Sequence, residues 1–402
     1  MQAIVNRLRQ SRDRVNIKER NGFVQLFISK RLLHGAATAL LGIFVPIFLY
    51  EIMGHTFYWV GGYYALLSLL YAVCLIPAMR VTNRLGFSHT LILGGMFSVG
   101  IYSTMYFLTS ENVWYLLAPL TIFIVGFRLF HWVPFHVDFT LFTEAGKRGQ
   151  QISLSFAAIA FMGVVGPILA GFIITHAGYE AMFGAAVALL IAATISYMFV
   201  PETDTRFEWT WRQTWGELFS SRRRSVVMGE FANGAETVVN LIVWPIFLFE
   251  VLSGDVLEIG VVSTIVVGMT IVVQLLAGRY LDKATTSKER TLKIGSTLYA
   301  LGWILKIFVL SVTHVFLVGL YHNIVKIFTK TPFSAIIYDM SAEQGEYVDE
   351  FTVLREIAGH AGRTVCLVLV SLLAIWVPIG WTFLFAAVAS IALNLVYRIQ
   401  PR

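Results

Sequence analysis

Pro46-Ile-Phe-Leu-Tyr-Glu-Ile-Met53 and Pro245-Ile-Phe-Leu-Phe-Glu-Val-Leu252 are nearly the same word written twice, 199 positions apart. The same offset carries His34-Gly35-Ala36 onto Asn233-Gly234-Ala235, Thr38 onto Thr237 and Gly61 onto Gly260. An offset of 198 brings Arg128 to Lys326 and Pro134-Phe135 to Pro332-Phe333. Register kept over this length marks a chain assembled from two copies of one unit.

Each copy of the word lies in a long apolar run. The chain is 57% hydrophobic and 13% charged over 402 residues, against a charged share of about a quarter in a soluble domain. The runs fall at roughly 30–50, 57–79, 91–108, 113–137, 152–175, 180–200, 226–250, 258–278, 294–312, 315–337, 353–376 and 379–398. As helices they are long enough to cross a hydrocarbon core of roughly 30 Å, whereas barrel strands would be shorter and alternating. The expectation is an all-α membrane protein of twelve transmembrane helices, arranged as two six-helix pseudo-repeats. Six is even, so both copies insert in one orientation, related by an axis along the membrane normal, with substrate between the halves near the midplane.

The net charge of +6 is explained by topology rather than by nucleic acid. Lys and Arg gather in the arm ending at Arg20, with Lys30 and Arg31 just beyond, and in the connections holding Arg80 and Arg84, Lys147 and Arg148, Arg222 to Arg224, and residues 279–293. The alternate connections 51–56, 109–112 and 251–258 carry none, which by the positive-inside rule puts both termini in the cytoplasm of a multi-pass cell-membrane protein. The basic start lacks an apolar core with a small-residue cleavage site, so no removable signal peptide is expected. The expected units are a basic arm 1–22, an N-terminal bundle 23–200, a linker 201–225 and a C-terminal bundle 226–402. In the linker, Trp211, Trp215 and Leu218 at helical spacing suit a helix lying on the membrane surface, with a plain linker as the alternative. Cys74 and Cys366 sit singly in apolar runs and read as small hydrophobes, neither a disulfide nor a metal site.

Short motifs then point to a family. Gly278-Arg-Tyr-Leu-Asp282-Lys283, with Thr285 in place of a second glycine, and Met79-Arg-Val-Thr-Asn83-Arg84-Leu-Gly86, which lacks the acid, lie at equivalent connections. Both resemble the Gly-x-x-x-Asp-basic-x-Gly pattern of the major facilitator superfamily, which links helix ends at the cytoplasmic face. Arg128 in the fourth helix, Gly163-Val-Val-Gly166-Pro167 with Gly171 in the fifth, and Pro201-Glu202-Thr203 after the sixth extend the resemblance over about residues 23–398. It implies the major facilitator fold, a secondary transporter and a cytoplasmic gating motif through Arg84, Gly86, Gly278, Asp282 and Lys283. The fifth-helix glycines equally serve close helix packing.

Ionisable side chains at bilayer depth cost at least about 2.5 kcal/mol each, so they face a cavity or one another. Arg128 and His131 share a broad face of the fourth helix, and Lys326, the repeat mate of Arg128, has Lys330 one turn on. Cations on both symmetric helices favour an anionic substrate group; alternatively Arg128 pairs with an acid, and Lys326 with Glu236 or Glu230. Glu236 replaces Ala37 of the first copy and is a candidate proton carrier. Glu356, His360 and Arg363 fall on one face of the eleventh helix, to relay protons or to pair internally through His360. Arg355 and Asp339 are expected at the water interface, and Lys306 is expected to snorkel. Trp132 and Trp244 are the aromatics expected to stack on substrate, although most aromatics in a chain with 14% of them simply pack.

No phosphate loop, zinc-type His-Glu-x-x-His or nucleophile elbow occurs, so the sequence gives no support to an ATP-driven pump or membrane hydrolase, and no cofactor, metal or catalytic residue is expected. The leading reading is a monomeric, proton-coupled carrier of a small anionic or amphiphilic solute, working by alternating access in the lipid bilayer. Alternatives are a multidrug or lipid exporter, and a non-transporting scaffold or sensor that uses the arm 1–22.

Overall fold

Proline decides the shape of the first and seventh helices. Pro46 and Pro245 have no backbone N–H for the carbonyl four residues back, and their rings crowd it. The carbonyls so affected belong to Gly42 and Leu241. In the computed structural model, which describes residues 21–142, 148–202, 207–281, 287–342 and 348–398, helix α1 bends by 41° between Asn21–Leu41 and Phe44–Ile52. Its mate α7, Arg224–Val251, stays continuous but widens into a π-helical turn over Val239–Val243. One sequence word thus disturbs both helices at the same repeat position.

The remaining helices are α2 (Phe57–Leu85), α3 (Phe87–Tyr106), α4 (Val113–Phe142), α5 and α6 (residues 148–177 and 179–197), α8 (Val256–Leu281), α9 (Lys288–Lys306), α10 (Val312–Ala342), α11 (Val348–Leu373) and α12 (Ile379–Tyr397). A helix therefore occupies each expected run, several of them longer than the apolar stretch alone; α1 starts at Asn21 rather than near residue 30. Among the described residues, eight helices are long and apolar enough to span a membrane, or nine if bent α1 is one span. The shortfall from twelve has physical reasons. Helices α5 and α6 run on from one another through Gly178, whose φ of 79° turns the chain. Helices α3 and α9, themselves repeat mates, are not among the eight: α3 is interrupted by Ser, Thr, His and Gly, and α9 carries Lys288, Glu289, Arg290, Lys293 and Lys306.

Packing repeats as the sequence does. Helix α1 lies along α5, α3 along α4 and α6, and α2 along α4; six helices on, α7 lies along α11, α9 along α10 and α12, and α8 along α10. The two bundles meet along α2 with α11 and α5 with α8. Repeat-related glycines permit both contacts: a Cβ on Gly61 would strike the Ser371 hydroxyl of α11, and one on Gly260 the Pro167 carbonyl of α5. Close backbone approach through small residues is how membrane helices gain contact where lipid offers no hydrophobic drive. Thr264 of α8 adds a polar tie, donating to the Val164 carbonyl at 2.8 Å and accepting from the Ile168 amide at 3.2 Å. Those two groups are i, i+4 ladder partners of α5, so a side chain of one bundle enters the backbone ladder of the other.

The linker is fastened to both halves. Its helix Trp211–Leu218 starts with a capping box between Thr210 and Gln213 and packs against α2 and α11. Ahead of it, Asn83 of α2 holds both backbone groups of Phe207, at 2.6 and 2.9 Å, while Glu350 of α11 accepts from the Glu208 amide at 2.8 Å. At the opposite end Tyr50 donates to Glu250 at 2.5 Å, joining the two copies of the opening word across the halves, and His55 stacks on Phe249.

Candidate functional site

The polar centre is built outward from α7, which presents Glu230, Asn233 and Glu236 at three-residue steps along one side. Arg355 of α11 donates to Glu230 at 2.7 Å, and Asn233 donates to the same carboxylate at 3.0 Å. Lys330 of α10 donates to the Asn233 carbonyl oxygen at 2.6 Å and pairs with Glu236 at 2.5 Å. Tyr299 of α9 donates to the other Glu236 oxygen at 2.6 Å. One unbroken chain of charge-assisted bonds therefore runs Arg355, Glu230, Asn233, Lys330, Glu236, Tyr299 across four helices.

A second group gathers where α11 meets α2 and α4. The Nε2 of His360 lies 3.9 Å from Glu356 and 3.2 Å from Arg363 Nη1, so the three form an internal string along α11. Tyr71 of α2 donates to Glu356 at 3.4 Å and lays its ring 4.1 Å from that of His360. Trp132 of α4 also donates to Glu356, and Lys30 of α1 stands over its indole at 5.8 Å. Glu356 is thus held by both bundles. Between these groups opens a cavity of about 100 Å³ lined by Glu230, Asn233, Gly234, Arg355, Glu356, Gly359, His360 and Arg363.

Arg128 completes the centre from the N-terminal side. It is half-buried among Tyr63, Tyr64, Tyr71 and Tyr102, within electrostatic range of Arg363, and among the described residues it makes no ion pair. Lys326 likewise makes none: Glu236 has taken Lys330, and Glu230 has taken Arg355. Arg128, Arg363, Lys306, Lys326 and Lys330 together face the two carboxylates Glu236 and Glu356. Each unmatched cation carries the cost of about 2.5 kcal/mol or more that charge bears at bilayer depth.

Three expectations are corrected. His131 does not join Arg128 at the centre but stacks on His34 at 5.1 Å and Phe127 at 4.9 Å and meets Tyr197 edge-on at 5.4 Å inside the N-terminal bundle. Three residues of helix leave the two side chains about 60° apart, enough to place them on different packing surfaces. Lys306 does not snorkel: it is 2% exposed, with its ammonium 3.9 Å from the Trp244 ring centre and 4.1 Å from that of Trp303. Trp244 therefore serves Lys306, and it also stacks on Phe247 and Phe383. Arg355 has a buried partner in Glu230 rather than water. Asn233, Tyr71 and Tyr299 escaped sequence reading because a neutral polar residue in an apolar run gives no signal until its charged neighbour is known. The repeat mate of Asn233 was visible, and that was the only hint.

At the linker end, Arg84 is exposed and Gly86 turns the chain between α2 and α3 with φ of 86°; a Cβ there would strike the Glu202 carboxylate, which pairs with His89 at 3.2 Å. Of the second copy of this motif, Gly278 falls in α8, while Asp282 and Lys283 lie outside the described residues, as do the arm through Arg20 and Lys147.

Residues 31–235 match the sequence profile of the Major Facilitator Superfamily. The chain belongs to that superfamily, a class of membrane transporters rather than enzymes. It is similar, at 22% identity over 244 residues, to the uncharacterized protein YqgE of Bacillus subtilis (strain 168); the match covers 59% of this chain and 56% of that protein's length. Two solved structures share the fold. A POT family transporter in complex with 5-aminolevulinic acid aligns with a TM-score of 0.67 at 10% identity, covering 93% of this chain and 95% of the other. A mutant of the nucleoside transporter NupG aligns with a TM-score of 0.67 at 12% identity, covering 94% and 100%.

Proposed function

We propose that the protein is a secondary transporter of small anionic organic solutes that works by alternating access of its two bundles, with proton movement coupled through Glu236. The observation that carries this reading is the charge imbalance at the centre: Arg128 and Lys326 come from repeat-related helices and, among the described residues, neither makes an ion pair with a carboxylate. A solute carboxylate or phosphate supplies the missing charge, and guanidinium and ammonium groups bind such oxygens by charge-assisted hydrogen bonds. Glu236 belongs to the same network, so a change in its protonation releases Lys330 and alters the charge that the solute meets. The polar lining of the described cavity favours this reading over export of apolar drugs or lipids. In this view the protein acts as a monomer in the cell membrane, with the linker end in the cytoplasm.

Flux in proteoliposomes tests it. Small carboxylates or phosphates are expected to exchange across the membrane faster than neutral analogues of equal size, and Arg128→Gln is expected to lower apparent affinity at least tenfold. Equal flux of charged and neutral solutes, indifferent to Arg128→Gln, overturns the anionic assignment. Purified protein that moves no solute and loses its role on deletion of residues 1–22 is a scaffold or sensor instead.

A further inference from the structure

Of the cations grouped around Glu236, Lys306 is the one held by indole rings. It closes α9 at the end away from the linker, is almost wholly enclosed, and lies between the indoles of Trp244 from α7 and Trp303 from α9. The charged groups that act on it are Lys326 and Glu236. Glu236 is already committed to Lys330 and Tyr299, so it cannot neutralise Lys306 and Lys326 as well. His322 stands beside them on α10, one turn before Lys326, with its ring 4.4 Å from Tyr299 and 4.6 Å from Trp303. The inner wall of the C-terminal bundle thus carries a run of basic groups, Lys330, Lys326, His322 and Lys306, and among the described residues Glu236 is the carboxylate that acts on its lysines.

Resting on the anionic-solute reading, we propose that Lys306 and Lys326 form a second anion subsite inside the C-terminal bundle, which takes the distal charge of a small organic dianion whose first charge is held by Arg128 and Arg363. Two independent observations converge here. Among the described residues Lys330, Lys326 and Lys306 act on Glu236 alone, so once Lys330 is paired two lysines are left without a carboxylate, and one further anionic group set between them offsets part of that excess, which a lone monoanion at Arg128 does not. The two indole faces at 3.9 and 4.1 Å give the Lys306 ammonium a cation–π counter-surface in an apolar place. An indole face is nevertheless a weaker counter-surface than a carboxylate or phosphate, so an anion that reaches Lys306 wins it from Trp244. Trp244 then reports occupancy. The competing explanation is a structural staple in which Lys306 only ties α7 to α9.

Purified protein in detergent separates these. Thermal unfolding is followed with malonate, succinate, glutarate and inorganic phosphate, and with butyrate as the single-charge match for succinate. At least one dianion is expected to stabilise the wild type more than butyrate does. In Lys306→Met and Lys326→Met that advantage is expected to vanish, with apparent affinity weakened roughly tenfold or more, whereas exposed Lys293→Met keeps it. Tryptophan fluorescence is expected to change with the stabilising dianion in the wild type and not in Lys306→Met. Lys306→Arg keeps the charge and retains the dianion preference, which guards against loss by misfolding. If Lys306→Met lowers baseline stability but keeps the dianion advantage, the staple is right and the subsite is wrong, while the anionic-solute reading stands. If no anion stabilises the wild type, both fail together.

Discussion

Glu236 is the residue at which the two copies part company. Ala37 stands at its place in α1, and only the second copy holds a carboxylate between Lys330 and Tyr299. Replacing Glu236 by Gln keeps the shape and the acceptor for Tyr299 but deletes the charge opposite Lys330. Breaking one side of a buried pair typically costs about 3–5 kcal/mol; the retained amide and Asn233 reduce this, so a loss of about 1–3 kcal/mol in unfolding is expected. The sharper expected outcome is functional: uptake driven by an imposed pH gradient falls to the level of passive exchange, while counterflow of solute persists. Gradient-driven and counterflow assays in the same vesicles check this, and gradient-driven uptake unchanged by Glu236→Gln sinks the coupling role. Arg128, Lys326 and Glu236 could be found in the sequence because a charge in an apolar run stands out and a repeat supplies its mate. Lys306 was misread because a lysine at a helix end ordinarily reaches water; what holds it inside is a pair of indoles on two helices, a relation no local pattern encodes. The partnership of Arg355 with Glu230 was hidden for the same reason, since it joins residues 125 positions apart.

At the scale of helices and connections, the Pro46 and Pro245 words announced the repeat and the apolar runs announced the helices, whereas the bend of α1 and the π-turn of α7 at those words emerged only in the structure. The tie between α5 and α8 was not legible, because Thr264 looks like any hydroxyl in an apolar run until Val164 and Ile168 of the other bundle are found on either side of it. Thr264→Val lets the α5 ladder close on itself, so the expected stability change is small, about 1 kcal/mol, the net worth of an ordinary hydrogen bond. Transport is expected to slow several-fold as α5 loses its soft point, with Thr264→Ser near wild type. Rates and melting temperatures on the three proteins decide it: a Ser variant as slow as the Val variant would show that methyl packing, not the hydroxyl, matters. Asn83 offers a second case. The resemblance placed it where the family pattern has an acid, and the structure uses its amide to hold Phe207 through both backbone groups. Asn83→Ala is expected to free the stretch ahead of Trp211 and speed protease cleavage there about five- to tenfold, with Asn83→Asp intermediate because a carboxylate keeps only the acceptor half of the clamp.

The whole molecule is two like bundles fastened at both ends by unlike devices. At the linker end the fastening is a strap: Asn83 holds one residue and Glu350 the next, each from a different bundle. At the far end it is a direct contact between the repeated words, Tyr50 to Glu250, with Tyr179 holding the equivalent Glu51 within the N-terminal bundle at 2.6 Å. A strap tolerates separation of the halves and a direct bond does not, so of these two end fastenings the far one is the one that opening must break. Tyr50→Phe removes that bond while preserving the ring against Phe249 and His55. The bond is partly exposed, so about 1 kcal/mol is a fair value, which shifts a two-state balance roughly fivefold toward the form open at that end. Phe249→Cys, which sits under the contact, provides the readout: its labelling by a membrane-impermeant thiol reagent is expected to run about five times faster when combined with Tyr50→Phe, while a cysteine at the linker end, in place of Arg84, is expected to label more slowly in the same background. Reciprocal change at the two ends is what alternating access requires, because closing one side is the condition for opening the other. Labelling that rises at both ends together would mean that Tyr50 only holds the fold shut, and the two bundles would then have to exchange access by some other contact.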